Sequence, residues 1–138
     1  MVIGYTTGVF DLFHVGHVRL LRNAKAMCDK LIVGVSTDEL VWYKNKQPVI
    51  TFEDRKEVVA NCKHVDLVVP QETMDKLDAH DRYKFDIMFV GDDWYKTDKW
   101  DSVETQLADR HVKVIYFPYT NKTSSTLINK TLENLRTE

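Results

Sequence analysis

The segment KLIVGVS, residues 30–36, constrains the fold more than any other stretch of this chain. Its apolar core runs without polar alternation, as a strand covered on both faces requires. Such a strand belongs inside a parallel sheet, whose neighbours are joined by long crossovers, usually helices. MVIGYTT, HVDLVVP, DIMFVGDDW and VKVIYFP are four more short apolar segments rich in β-formers. Between them lie helical patterns. HVGHVRLLRNAKAM sets Val18, Leu20, Leu21, Ala24 and Met27 at helical spacing. TFEDRKEVVANC opens on a capping pattern, Thr51 followed by Asp54. MDKLDAHDRYKF, DSVETQLADR and TSSTLINKTLENL read as further helices, and TDELVWYKNKQPVI as a polar loop. The expected fold is α/β in the order βαβαβαβαβα: an open parallel five-stranded sheet with helices on both faces, in a single domain spanning residues 1–138.

A chain of 138 residues can bury one good core. Its net charge of −2 argues against a nucleic-acid coat or a membrane-surface binder, either of which would show a basic excess. The opening residues lack the pattern of a signal peptide, and no apolar run reaches membrane-spanning length. The two cysteines, Cys28 and Cys62, lie far apart in helical segments and read as small buried thiols of a reducing cytoplasm rather than as a disulfide or metal pair. The expectation is a cytoplasmic protein without nucleic-acid or membrane partners.

Open parallel sheets bind ligands beyond the carboxyl ends of their strands, where the strand order reverses. The loops to inspect are therefore Thr7–Gly16, Ser36–Pro48, Pro70–Met74, Gly91–Trp100 and Pro118–Thr126. In the first, Gly8 and Gly16 permit a tight turn into a helix whose amino end favours an anion. His14 and His17 share that helix mouth and could donate hydrogen bonds to a phosphate. They could also be ordinary histidines, one capping and one partly buried; a metal pair would need a third ligand, and none is evident nearby. The segment is neither a Walker A loop nor a Gly-x-Gly-x-x-Gly fingerprint. In the last loop Thr123, Ser124, Ser125 and Thr126 follow Lys122: a helix cap needs one hydroxyl, and four leave room for a second phosphate site. Lys44 and Lys46 form a basic cluster, either solvated or anion-binding. Arg55 sits near a helix start, where a cation opposes the dipole unless something acidic faces it, and it could reach into the site. Asp92 and Asp93 are either a turn cap or carboxylates for a base or a sugar hydroxyl.

GVFDLFHVGH resembles the His-x-Gly-His signature of the cytidylyltransferase branch of the nucleotidyltransferase superfamily. With STDE, ITFEDRKEVV, VDLVVP and GDDW, the likeness extends over essentially the whole chain and is greatest to the glycerol-phosphate members. The resemblance implies a Rossmann-like fold, a homodimer, and transfer of CMP from CTP, carried with Mg²⁺, to an alcohol phosphate. It implies that His14, His17, Lys46 and Arg55 are catalytic. It places Val9, Phe10, Gly16, Lys46, Asp93 and the segment Tyr119, Thr120, Lys122, Ser124, Ser125 and Thr126 at CTP, and Asp11, Lys44, Asp66 and Trp94 at the second substrate. The family's second signature runs Arg-Thr-Glu-Gly-Ile-Ser-Thr-Thr, whereas this chain has Tyr119 for the arginine and Lys122 for the glycine; Lys63 also replaces an arginine. Tyrosine cannot replace arginine's charge. A different acceptor (phosphoethanolamine, phosphocholine, another polyol phosphate or a phosphonate), an ATP donor, and a nucleotide-binding module without turnover are the competing expectations. Trp94, Tyr95 and Trp100 keep a choline reader among them.

Overall fold

The computed structural model describes residues 1–42, 47–91 and 97–118. Its elements run β1 (Ile3–Gly8), α1 (Val15–Ala26), β2 (Lys30–Ser36), α2 (Asp38–Trp42), α3 (Phe52–Ala60), β3 (Leu67–Gln71), α4 (Lys76–Tyr83), β4 (Ile87–Gly91), α5 (Asp98–Ala108) and β5 (Lys113–Phe117). All strand pairs are parallel, in the order β3-β2-β1-β4-β5. The order reverses between β1 and β4, the position where such sheets take ligands.

The apolar run that fixed the sheet also divides the core. Leu31, Val33 and Val35 point to one face, where they pack with Leu21 and Ala24 of α1, Val59 of α3, and Phe10 and Phe89. Ile32 points to the other, among Tyr5, Met88, Val90, Ala79 of α4 and Trp100 and Leu107 of α5. Helices therefore cover both faces, as expected. Gly34 is required in β2 because a Cβ there would lie 2.6 Å from the Tyr5 Oη.

Four local readings are corrected. Part of the expected polar loop is the short helix α2, with Asp38 and Glu39 in its first turn. Thr51 has N-cap backbone angles but its side chain makes no cap bond; the Phe52 amide donates instead to Asp38 Oδ2 at 3.1 Å. β3 does not end at Pro70 but includes it, paired with Val35. An edge strand tolerates proline because its missing N–H can face outward. Cys28 and Cys62 are free, half-buried thiols that follow α1 and α3 rather than lying within them. Among the described residues no helix is long and apolar enough to cross a membrane. The expected terminal helix lies outside the described residues.

Candidate active site

The turn from β1 into α1 is built against local preference. Phe10 and Leu12 adopt left-handed backbone angles, φ 54° and 51°. Non-glycine residues pay about 1–2 kcal/mol for this, so the surroundings must impose it. The Phe10 ring is buried in the α1–α3 core. Asp11, 7% exposed, accepts from the Val49 amide at 2.8 Å and the Ile50 amide at 3.0 Å. Arg55, 1% exposed, donates from Nη1 to the carbonyls of Val9 and Ser36, both at 2.7 Å, and from Nε to the Ile50 carbonyl at 2.9 Å. Its Nη2 meets Asp38 Oδ1 at 2.7 Å. One guanidinium thus ties together the turn after β1, the end of β2 and the segment leading into α3.

Held in this way, the two histidines cap α1 reciprocally. The Gly16 amide donates to His14 Nδ1 at 3.0 Å, and the His14 amide donates to His17 Nδ1 at 3.1 Å. This is a capping box with imidazoles in place of the usual hydroxyl and carboxamide. Because each Nδ1 accepts, each neutral ring carries its proton on Nε2. The rings lie 4.1 Å apart; His17 also stacks on Phe13 at 5.2 Å and meets Phe10 edge-on at 5.4 Å. Burial, and secondarily the neighbouring His14, pushes the His17 pKa down to about 4, although Asp11 pulls the other way. Burial also lowers the His14 pKa. At neutral pH the pair is a set of two uncharged Nε2–H donors, suited to charge that develops on a phosphate and unsuited to removing a proton as a charged couple.

A cavity of about 160 Å³ adjoins this turn at the carboxyl edge of the sheet, lined in part by Thr7, Val9, Ser36, Gln71, Lys76 and Trp100. Lys76, 5% exposed, donates from Nζ to Gln71 Oε1 at 2.6 Å and to Thr7 Oγ1 at 3.1 Å. Gln71 Nε2 in turn donates to Ser36 Oγ at 2.9 Å.

A cytidylyltransferase-like family model matches residues 5–131. The chain is 37% identical over 131 residues to glycerol-3-phosphate cytidylyltransferase of Bacillus spizizenii, covering 94% of this chain and 96% of that protein. It is 35% identical over 128 residues to the protein of the same name from Staphylococcus aureus, with 92% of each covered. This chain belongs to the cytidylyltransferase family. A crystal structure of a lipopolysaccharide core biosynthesis protein from Thermoplasma volcanium superposes with a TM-score of 0.74 at 25% identity, covering 89% of this chain and 99% of that one.

In this family member the structure gathers only some of the expected residues. His14, His17 and Gly16 form the helix mouth, with the Gly16 amide committed to His14 rather than open to a phosphate. Val9 lines the cavity. The Phe10 ring is core, so only its backbone can face a nucleotide. Arg55 sits beneath the loops, its buried guanidinium bonded to three carbonyls and Asp38, an arrangement that suits a positioning role. Asp11 anchors the loop, both its oxygens accepting backbone amides. Asp66 lies at the amino end of the sheet: it directly precedes β3 and accepts from the Leu31 amide and Lys25. Trp100 packs in the α4–α5 core. Lys44, Lys46, Asp93, Trp94, Tyr119, Thr120, Lys122, Ser124, Ser125 and Thr126 lie outside the described residues. The sequence reading overlooked Ser36, Gln71 and Lys76; the available signal was a polar residue ending an otherwise apolar strand, twice, on adjacent strands.

Proposed function

We propose that this chain transfers CMP from CTP to glycerol 3-phosphate, giving CDP-glycerol and pyrophosphate. The observation that carries this is the reciprocal histidine cap, which leaves two neutral Nε2–H donors at the mouth of α1. The near full-length likeness to proteins named for this reaction supports both donor and acceptor. An oxygen of the acceptor phosphate attacks the α-phosphorus; the bond to the bridging oxygen breaks, and pyrophosphate leaves with its electron pair. The attacking oxygen is already anionic, so no base and no covalent enzyme intermediate are needed. His14 and His17 donate to the α-phosphate oxygens as charge concentrates there, and the fixed turn holds the groups in line. We assign Lys46 to the CTP phosphates, Lys44 to the acceptor phosphate, Asp93 to the base, Trp94 to the acceptor, and the hydroxyls of 123–126 to the β- and γ-phosphates. Lys122 supplies the cation that Tyr119 cannot.

Mg²⁺ accompanies the nucleotide. The described carboxylates nearest the site, Asp11 and Asp38, are engaged by amides and Arg55, and no cluster of three metal-ligating side chains occurs among the described residues. That donor set fits an ion carried mainly on phosphate oxygens, with few protein ligands. When bound it neutralises charge on the phosphates. We further propose a cytoplasmic homodimer; exposed Val58, which lines a shallow apolar hollow with Leu12, Phe13 and Ile50, supports a paired apolar surface, and light scattering after gel filtration tests it.

The deciding experiment follows pyrophosphate release with Mg²⁺ and either CTP or ATP against a panel of alcohol phosphates. Product from CTP and glycerol 3-phosphate alone is expected. Product with ATP, or with phosphocholine instead, overturns the donor or the acceptor; CTP binding without product on any acceptor leaves a binding module.

A further inference from the structure

The reciprocal cap holds each imidazole at one atom. It fixes where Nδ1 lies, but not how the ring is tilted about that atom. Donation to a phosphate is directional, so the tilt decides where Nε2–H points. The plane of His17 is therefore set by what its faces and edges touch, and three rings surround it. His14 lies 4.1 Å away, tilted by 36°; Phe10 meets it edge-on at 5.4 Å and 62°; Phe13 lies against it at 5.2 Å, within 23° of parallel. Both separations from phenylalanine fall in the range where aromatic rings attract in these two geometries.

The three rings differ in what else they do. The Phe10 ring is buried and belongs to the core under α1 and α3. His14 is a donor in its own right. Phe13 has no comparable duty: it is half-buried at the margin of that core. With Leu12, Ile50 and Val58 it borders a hollow of about 420 Å³ rather than filled space. It stands directly before the cap residue His14, at N′ of α1. An apolar N′ residue commonly packs on N4, which here is Val18. The stack instead engages His17, at N3.

We propose that Phe13 is a positioning residue for His17: its ring face holds the imidazole in the plane that aims Nε2–H at the α-phosphate. The role rests on the transfer reaction proposed above and adds to it a side chain that acts only through another. A leucine of similar bulk would fill the same space without presenting a flat face. His17 would then keep its burial and lose its fixed tilt. Because a small misplacement of a donor weakens its bond to the transition state, the loss falls on turnover rather than on binding.

The test uses the full chain with Phe13→Leu, which removes the flat face, and Phe13→Tyr, which restores it; Phe13→Met takes the place of the leucine variant should that fail to fold. Turnover and KM values are read from pyrophosphate release, and the His17 tautomer from nitrogen-15 NMR at pH 7. In Phe13→Leu, kcat is expected to fall about tenfold with both KM values unchanged within about twofold. The His17 Nδ1 and Nε2 shifts are expected to converge in that variant, as the ring samples both tautomers. Phe13→Tyr is expected to return kcat and shifts to near wild type. An unchanged kcat in folded Phe13→Leu, or a parallel rise in the KM values, would mark Phe13 as packing alone and overturn the proposal. So would a fall in kcat that leaves the His17 shifts unmoved or that tyrosine does not rescue. Converging His17 shifts in Phe13→Leu, with no pyrophosphate from the wild type, would support the positioning role and overturn the reaction instead.

Discussion

The two edges of the sheet carry the same kinds of charged residue and use them differently. At the amino edge, Asp29, Asp66 and Asp86 each stand directly before a strand and accept from an amide at or just before the start of a neighbouring strand: Val2 at 2.6 Å, Leu31 at 2.7 Å and Ile3 at 2.9 Å. Asp66 adds Lys25 at 2.6 Å, with both side chains about one-third exposed. Burial pulls the Asp66 pKa up, but hydrogen bonds from Lys25 and the Leu31 amide outweigh it and hold the carboxyl below its ordinary value. At the carboxyl edge the charges are buried. Asp11, Arg55 and Lys76 are each committed to loop backbone or to a neighbouring polar side chain. The amino edge trims strand ends in contact with water, where each bond is worth about 1 kcal/mol. The carboxyl edge fixes loops in geometries they would not adopt alone. A charged residue's place before or after its strand therefore says more about its role than its type does.

That contrast can be broken at several points. The largest effect is expected from His14→Ala or His17→Ala, each removing one of the Nε2–H donors proposed to meet the α-phosphate. Turnover should fall about 10²–10³-fold while circular dichroism stays native; near wild-type turnover would remove that histidine from the chemistry. Arg55→Ala leaves three carbonyls and Asp38 without their buried partner. It should cost about 3–5 kcal/mol in denaturant unfolding, and lysine should not rescue it, lacking the planar fork that reaches all four groups. Acid should act through the histidine cap. A ring whose folded pKa is lowered binds its proton more weakly folded than unfolded, so its contribution is fully present above about pH 6.5. It is lost as pH falls toward about 4 for His17, with His14 following in the same direction. Both stability and turnover should decline through that window, and a flat profile in His17→Ala would assign the decline to the ring. Asp86→Ala, at the other edge, should lower stability by only about 1 kcal/mol and leave the KM for CTP unchanged; a large rise in that KM would erase the distinction between the edges.

The sheet was legible because burial on both faces writes itself into sequence as unbroken apolar runs, and KLIVGVS coincides with β2, Lys30–Ser36. The histidine loop was legible because two imidazoles around a glycine at a helix mouth serve packing poorly. What they do locally was less so: nothing in the sequence shows that they cap one another through Nδ1, since that depends on the backbone angles of Phe10 and Leu12. The bonding of Arg55 and Asp11 to loop backbone was not legible, because charge in a ligand-bearing loop looks the same in sequence whether it faces the ligand or the backbone beneath. The place of Asp66 at the amino edge was not legible either, because resemblance transfers residues without their depth along the strand. Gln71 and Lys76 are close in sequence, but their meeting with Ser36 and Thr7 depends on β1, β2 and β3 lying side by side, which only the strand order supplies.

The proposed catalysis depends on the two histidines acting as neutral Nε2–H donors. Nitrogen-15 NMR of the histidine side chains across a pH titration reads this directly. Both rings should show an unprotonated Nδ1 and a protonated Nε2 at pH 7, with His17 titrating near 4 and His14 below its ordinary value. A ring carrying its proton on Nδ1 at pH 7, or one that titrates at or above 6.5, would contradict the cap and with it the role assigned to the pair.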